Sequence, residues 1–251
     1  LRIAFSPDGK RLVSSDAQSD GNSSVDEGKR NAIRIWNLET GTQLLELPES
    51  TKSGTDLAWS PDGRYIATGG DDRKVHLWDS AGGTSRILLT NSEDSIQSVA
   101  FSPDSTLLAA VAGRTATILH IPDGKEHSRL WHNDTPCMIS FSADGNWLAT
   151  AMPAGTIRIW NRKADSEHRS IQAGSGLNGA WFSTDSGTIA SAHINGTIIL
   201  WEVSTGKQVA IMRGPSRSVE WLDFSPDGRR IASCTSNMML SIWDVPSATE
   251  V

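Results

Sequence analysis

The chain has 251 residues, a net charge of −6 and 21% charged residues, proportions typical of a globular protein. No long run of Lys or Arg supplies the basic surface that non-specific nucleic-acid binding requires, so we expect no nucleic-acid partner. No stretch reaches the roughly 18 apolar residues of a membrane-spanning helix, so we expect no membrane partner either. The two cysteines form no C-x-x-C pair, which indicates free thiols in a reducing, cytoplasmic compartment.

An internal repeat organises the whole chain. The motif S-P-D-G and its variants begin at six serines: Ser6, Ser60, Ser102, Ser142, Ser183 and Ser225. From the second copy onward the motif recurs every 40 to 42 residues, and a second column lies eighteen residues after each serine. That column contains Trp78, His120, Trp160, Trp201 and Trp243, with Trp36 at the same place in the first repeat after an insertion. We expect all of these aromatic residues, including His120, to lie in the core.

Each repeat predicts four short strands. In the second repeat these runs include 56–59, 65–68 and 74–78, where polar and apolar residues alternate as in half-buried strands. A fourth strand follows each Trp, as at 42–47 and 208–212. The S-P-D-G link and Asn195-Gly196 are typical of tight turns between strands. Four strands at this period indicate one propeller blade per repeat, with predicted repeats at about 1–47, 48–90, 91–130, 131–172, 173–213 and 214–251.

These columns resemble the WD-repeat (WD40) family. The naming dipeptide stands at Trp78-Asp79 and Trp243-Asp244, and the degenerate copies are similar to those of bacterial regulatory proteins. The resemblance implies an all-β propeller of six four-stranded blades over residues 1–251. We expect a fragment of a propeller with seven or more blades, with a closed six-bladed ring as the alternative. It also implies a protein-interaction scaffold without catalytic activity.

In well-kept repeats of this family, a His, a Ser or Thr, an Asp and the Trp form a buried hydrogen-bond network. The second repeat keeps Thr68 and Asp72, and the fourth keeps His132 and Thr150, but no repeat keeps all four residue types. The resemblance therefore assigns a structural role within the blades to seven residues: Trp36, Trp78, Trp160, Trp201, Trp243, Asp72 and His132.

The insertion at 16–31 is polar and rich in Ser, Asp and Gly. Asp16, Asp20 and Glu27 partly match the spacing of a calcium-binding loop, although strands rather than helices flank the segment. The alternative, which the composition favours, is a solvated acidic hairpin tip. The six histidines have no zinc-finger spacing, and no phosphate loop or nucleophile motif is present, so we expect no cofactor and no catalytic residue.

The resemblance also predicts the face that binds partners, which are expected to be proteins or peptides. It places six residues there: Thr55, Asp71, Gln97, Cys137, Asn178 and Glu220. Two alternatives to a simple scaffold remain open at this point. One is a regulatory or structural module of a multidomain signalling protein. The other is a propeller enzyme, which would need convergent Asp, Glu, His or Arg side chains on the innermost strands, where the candidates are Arg2, Asp56, Asp223 and Glu220.

Overall fold

The structure, a computed structural model, describes residues 2–15, 32–48, 54–89, 92, 94–164, 166–214 and 217–251. All regular elements in these ranges are strands, and they form six separate four-stranded antiparallel sheets. The chain divides into two compact units, Leu1–Trp131 and His132–Val251, with three sheets in each. In each sheet the four strands are adjacent in chain order, as the short predicted turns require.

Unit one contains blades one to three. Their strands are β1 (Arg2–Phe5), β2 (Arg11–Ser15), β3 (Ala32–Asn37), β4 (Gln43–Pro48), β5 (Gly54–Trp59), β6 (Tyr65–Gly70), β7 (Val75–Asp79), β8 (Ser85–Leu89), β9 (Ile96–Phe101), β10 (Leu107–Ala112), β11 (Thr115–His120) and β12 (Glu126–Trp131).

Unit two contains blades four to six. Their strands are β13 (Met138–Phe141), β14 (Trp147–Met152), β15 (Thr156–Asn161), β16 (Ser166–Gln172), β17 (Leu177–Phe182), β18 (Thr188–His193), β19 (Thr197–Glu202), β20 (Gln208–Arg213), β21 (Val219–Phe224), β22 (Arg230–Thr235), β23 (Leu240–Asp244) and β24 (Thr249–Glu250). The predicted fold class, an all-β propeller with six four-stranded blades, is confirmed at the level of the blades.

The repeated Ser-x-Asp motif closes the turn between the first two strands of every blade. In blade one, the hydroxyl of Ser6 donates to Asp8 Oδ1 at 2.5 Å and accepts the backbone N–H of Arg11 at 2.9 Å. Asp8 also accepts the N–H of Lys10 at 3.0 Å. The same Ser-to-Asp bond recurs in the other five blades at 2.5–2.6 Å. The motif is therefore a self-contained turn in which both side chains bond locally.

Serine replaces the turn glycine in blades three and five for a reason visible in the structure. Ser105 and Ser186 have φ of 58° and 62°, a conformation that costs a non-glycine residue roughly 1–2 kcal/mol. Each hydroxyl accepts a backbone N–H from the preceding blade, Asp62 to Ser105 and Asp144 to Ser186, both at 3.0 Å. A bond between blades thus offsets the backbone strain.

The Trp column makes one hydrogen bond in each blade that contains it. The indole N–H donates to a hydroxyl on the second strand at 2.9–3.1 Å, and the acceptors are Ser14, Thr68, Thr150, Ser191 and Ser233. Four of these Trp side chains are buried, and Trp36 is half-buried. Each bond satisfies a polar group that burial would otherwise leave unpaired, which would cost roughly 1–3 kcal/mol.

Histidines lie beside this bond in three blades, with different partners in each. In blade four, His132 Nε2 lies 2.9 Å from Thr150 Oγ1, so one hydroxyl serves both His132 and Trp160. In blade two, Asp72 pairs with His76 on the adjacent strand, with 2.7 Å between Oδ2 and Nε2.

In blade five, Nε2 of His193 lies 2.9 Å from Ser191 Oγ. The family resemblance did not assign a role to this histidine. Burial lowers the pKa of His193, although a backbone bond to Ser175 opposes that shift, so this ring is neutral near pH 7.

Candidate protein-binding site

Each blade has two edges of different character. The motif edge contains the Ser-x-Asp turns. The entry edge contains the loops that lead into the first strands and the turns between the second and third strands. In unit two these two kinds of segment bond to each other: Ile194 N–H donates to Gly176 O, and Ser236 N–H donates to Ser218 O, both at 2.9 Å. In blades five and six the entry loop and the turn are therefore held together by backbone hydrogen bonds.

The predicted partner residues lie in different environments. Asp71, Gln97 and Glu220 are exposed at the entry ends of their blades. The side chain of Thr55 lies outside the described part of the structure. The calcium candidates Asp16, Asp20 and Glu27 also lie outside the described residues. Three of the six predicted partner residues are thus available to solvent in the described structure.

Cys137 and Asn178 are half-buried and contact the following blade. Asn178 Nδ2 donates to Ser218 Oγ at 2.8 Å and to Val219 O at 2.9 Å. The thiol of Cys137 lies 3.3 Å from Ala151 O and 3.5 Å from Asn178 O. Burial raises the pKa of this thiol to about 11, so it stays protonated and unreactive at neutral pH. Both side chains contribute to the packing of neighbouring blades in unit two.

The entry edge of unit two also exposes apolar side chains that sequence reasoning missed or undervalued. Met238 is 89% exposed and Ile194 57%, and Met239 beside Met238 is exposed as well. Trp221 is 40% exposed, but its ring packs edge-to-face on that of Trp181, and its counterparts in other blades, such as Met138, are buried. Exposed Trp and Met side chains are common where proteins bind partners, because they contact large areas and adapt to different shapes. Glu220, adjacent to Trp221, adds a charge at this surface.

Met238 also has an unusual backbone. It has φ of 64° and donates its N–H to the residue three before it, Thr235. The same turn position in blades four and five is Gly155 and Gly196, whereas blade two has Arg73. A left-handed conformation costs a non-glycine residue roughly 1–3 kcal/mol, and such strain is frequently found at functional sites. Met238 thus combines a left-handed backbone with an almost fully exposed apolar side chain.

The motif edge has the opposite character. Its aspartates accept bonds from their own turns, and these bonds lower their pKa values. For Asp8, Asp185 and Asp227 the serine hydroxyl is the main cause and a backbone N–H is the next. These carboxylates therefore remain charged and hydrogen-bonded well below neutral pH. The motif edge presents a polar surface whose groups are already bonded.

Two sheet faces are also exposed, one in each unit. Ile3 and Phe5 are exposed in blade one, and Leu240 and Ile242 in blade six. Their counterparts in the other blades are buried or half-buried against a neighbouring blade, for example Phe101 and Ile157. The apolar character of these faces therefore follows from blade stacking and is not evidence for a partner site.

The acidic residues of the inner strands have structural surroundings. Asp56 is buried, and its Oδ2 accepts Ser98 Oγ–H at 2.9 Å and Val99 N–H at 3.0 Å from the next blade. Burial raises the pKa of Asp56 and of Asp223. In the described ranges, no cluster of three or more His, Cys, Asp or Glu side chains could hold a metal ion. Nor does that part of the chain contain a helix long and apolar enough to cross a membrane.

Comparison with curated proteins finds relatives that contain WD repeats. The Drosophila melanogaster "Protein LST8 homolog" is 30% identical over 43% of this chain and 36% of its own length. The Arabidopsis thaliana "Autophagy-related protein 16" is 27% identical over 86% of this chain and 35% of its own length. The Drosophila persimilis "Ribosome biogenesis protein WDR12 homolog" is 27% identical over 45% of this chain and 28% of its own length. The chain thus spans about a third of the length of these relatives.

The family model "WD domain, G-beta repeat" matches four segments: 41–79, 83–119, 125–161 and 206–244. Each match begins at or just before the fourth strand of one blade and ends at the third strand of the next, so the sequence repeat is staggered relative to the blade. Blade five lies mostly outside the matches yet keeps its four strands and its Trp201–Ser191 bond. The matches cover more than half of the chain, which therefore belongs to the WD-repeat family.

Proposed function

We propose that this chain is a protein-interaction scaffold that binds proteins or peptides at its entry edge and has no catalytic activity of its own. The observation that supports this most is Met238, which is exposed and strained in a turn where glycine would avoid the strain. Ile194 is a second exposed apolar side chain at this edge, and Glu220 adds a charge there. Asp71 and Gln97 give the entry edge of unit one a more polar surface.

The contrast between the edges supports the choice of surface. A partner gains affinity mainly from apolar and aromatic side chains that it can bury, with polar groups around them for specificity. The entry edge of unit two offers both kinds of group. At the motif edge the aspartates are already bonded, so a partner there would have to compete with short local hydrogen bonds.

The alternative role is a regulatory module of a multidomain protein, in which the same edge would contact another part of the same polypeptide. The greater length of the relatives is compatible with this role. An enzyme is less well supported, because the buried Asp56 accepts its hydrogen bonds from Ser98 and Val99 of the next blade. The free thiols of Cys137 and Cys234 are compatible with a cytoplasmic location.

Selection from a random peptide library displayed on phage tests the scaffold proposal. We expect peptides with apolar side chains to be enriched on the immobilised chain. We expect Ile194→Glu to weaken their binding by about tenfold or more, since a central apolar contact is worth roughly 1–2 kcal/mol. Val209→Glu is the matched control, because Val209 is 63% exposed on outer strand β20, away from the entry edge. Equal losses in the two variants, or no enrichment, would count against the proposal.

A further inference from the structure

Blade three departs from the other blades at two coupled positions. Its Trp column contains His120, and the residue ten positions earlier, where the other blades have a hydroxyl acceptor, is Ala110. Both partners of the indole–hydroxyl bond are therefore missing. His120 is half-buried rather than part of the core, so the expectation that it is a core residue was wrong. Without the acceptor, this side chain cannot have the structural role of its counterparts.

His120 instead faces a second histidine on the neighbouring strand. His127 lies near the start of β12 and is exposed, and its Nδ1 is 3.3 Å from Nε2 of His120. The two rings are nearly perpendicular, with centroids 5.0 Å apart. The two histidines are seven positions apart in the sequence, with the turn at Gly124 between them, a spacing that matches neither a zinc finger nor one face of a helix.

The distance between these two nitrogens matches a shared metal ion. Zinc binds histidine nitrogen at about 2.0–2.1 Å, and in tetrahedral geometry two such nitrogens lie about 3.3–3.4 Å apart. The two rings are within hydrogen-bond distance of each other, with one nitrogen donating and the other accepting, and a bound metal ion would replace that bond. Neutral imidazole is also a preferred ligand for borderline divalent metals. The carboxylate of Glu126, next to His127 in the sequence, pairs with Arg129 at 2.6 Å, so we do not assign it as a metal ligand.

We propose that His120 and His127 form a surface site for a divalent transition metal that accepts imidazole ligands, and zinc is the ion used to test it. The two imidazoles supply two of the four positions of a tetrahedral ion, and solvent or a group from another molecule supplies the rest. This site is independent of the proposed scaffold function. It lies on outer strands β11 and β12 at the end of blade three, near Gly124, away from the entry edge.

Isothermal titration of the purified chain with zinc tests this site. We expect one zinc equivalent whose affinity falls by about tenfold or more in His127→Ala and in His120→Ala. Removing a residue that only hydrogen-bonds to a metal ligand typically lowers the metal affinity by about 10- to 100-fold. Removing the ligand itself should lower the affinity at least as much. His168→Ala is the matched control, because His168 is exposed on β16 with its ring 4.6 Å from that of Trp147. That variant should bind zinc like the unchanged chain.

Two results would overturn the site: no zinc binding at millimolar concentration, or binding that is equal in the His127 and His168 variants. Because His127 is exposed, His127→Ala and His127→Gln should fold normally, and a circular dichroism melt without metal checks this. Zinc should also raise the melting temperature of the unchanged chain and leave that of His127→Gln unchanged, because a ligand that binds only the folded state stabilises it.

Discussion

Replacing Gly155 with alanine is expected to destabilise unit two by about 3 kcal/mol or more. Gly155 has φ of 106°, a region essentially restricted to glycine, so any side chain there is strained by roughly 1–3 kcal/mol. An added Cβ would also lie 2.3 Å from the backbone oxygen of Gly174. The backbone cannot easily move away, because Gly155 O accepts the N–H of Ala173 at 2.7 Å and Gly155 N–H donates to Met152 O at 2.8 Å.

Gly174→Ala is the control that separates strain from collision. Gly174 has φ of 91°, but an added Cβ there would meet no atom within 4 Å. It should therefore cost only the backbone strain, roughly 1–3 kcal/mol. Urea unfolding followed by tryptophan fluorescence measures both variants. If Gly155→Ala lowers the free energy of unfolding no more than Gly174→Ala does, then the turn of blade four does not lie as close to the segment leading to blade five as the structure shows.

Replacing Thr150 with valine is expected to have the second large effect, lowering the free energy of unfolding by about 2–4 kcal/mol. Valine keeps the shape of threonine but removes the hydroxyl that serves His132 and Trp160. Thr150 is fully buried, so water cannot replace the lost bonds. Each buried polar group that loses its partner costs roughly 1–3 kcal/mol.

Thr156→Val provides the comparison for this prediction. Thr156 is half-buried in the next strand, and its hydroxyl makes only a long 3.4 Å contact with Gln172. We expect a change within about 0.5 kcal/mol, as for most surface substitutions. Chemical denaturation at one pH measures both variants. A Thr150→Val chain as stable as Thr156→Val would mean that apolar packing alone stabilises blade four.

The repeat made the blades predictable from the sequence. A motif and an aromatic column at one period fix where the strands turn and which face packs inward, and these local signals are sufficient for a four-stranded blade. The pairing of Trp160 with Thr150 follows from the same alignment, since both positions recur in nearly every repeat. Local and repeated features are thus the part of the structure that sequence patterns specify.

The remaining contacts depend on which side chains meet across strands or blades. Asn178 and Ser218 are 40 residues apart, which is the repeat period, so the alignment places them in neighbouring blades but does not indicate that their side chains bond. His120 and His127 meet because the chain turns back between β11 and β12, and no recurring motif marks that pair. The position of Met238 does carry a signal in the sequence. Its turn column contains glycine in two other blades of unit two, so a methionine there indicates backbone strain.

The most direct test of the proposed function is Met238→Gly, measured for both stability and peptide binding. Glycine removes the left-handed strain and the exposed side chain together. We expect the free energy of unfolding to stay the same or to rise by up to about 1 kcal/mol. The affinity for a peptide selected on the unchanged chain should fall by about tenfold. A variant that is more stable but binds the peptide equally well would contradict a binding role for the entry edge.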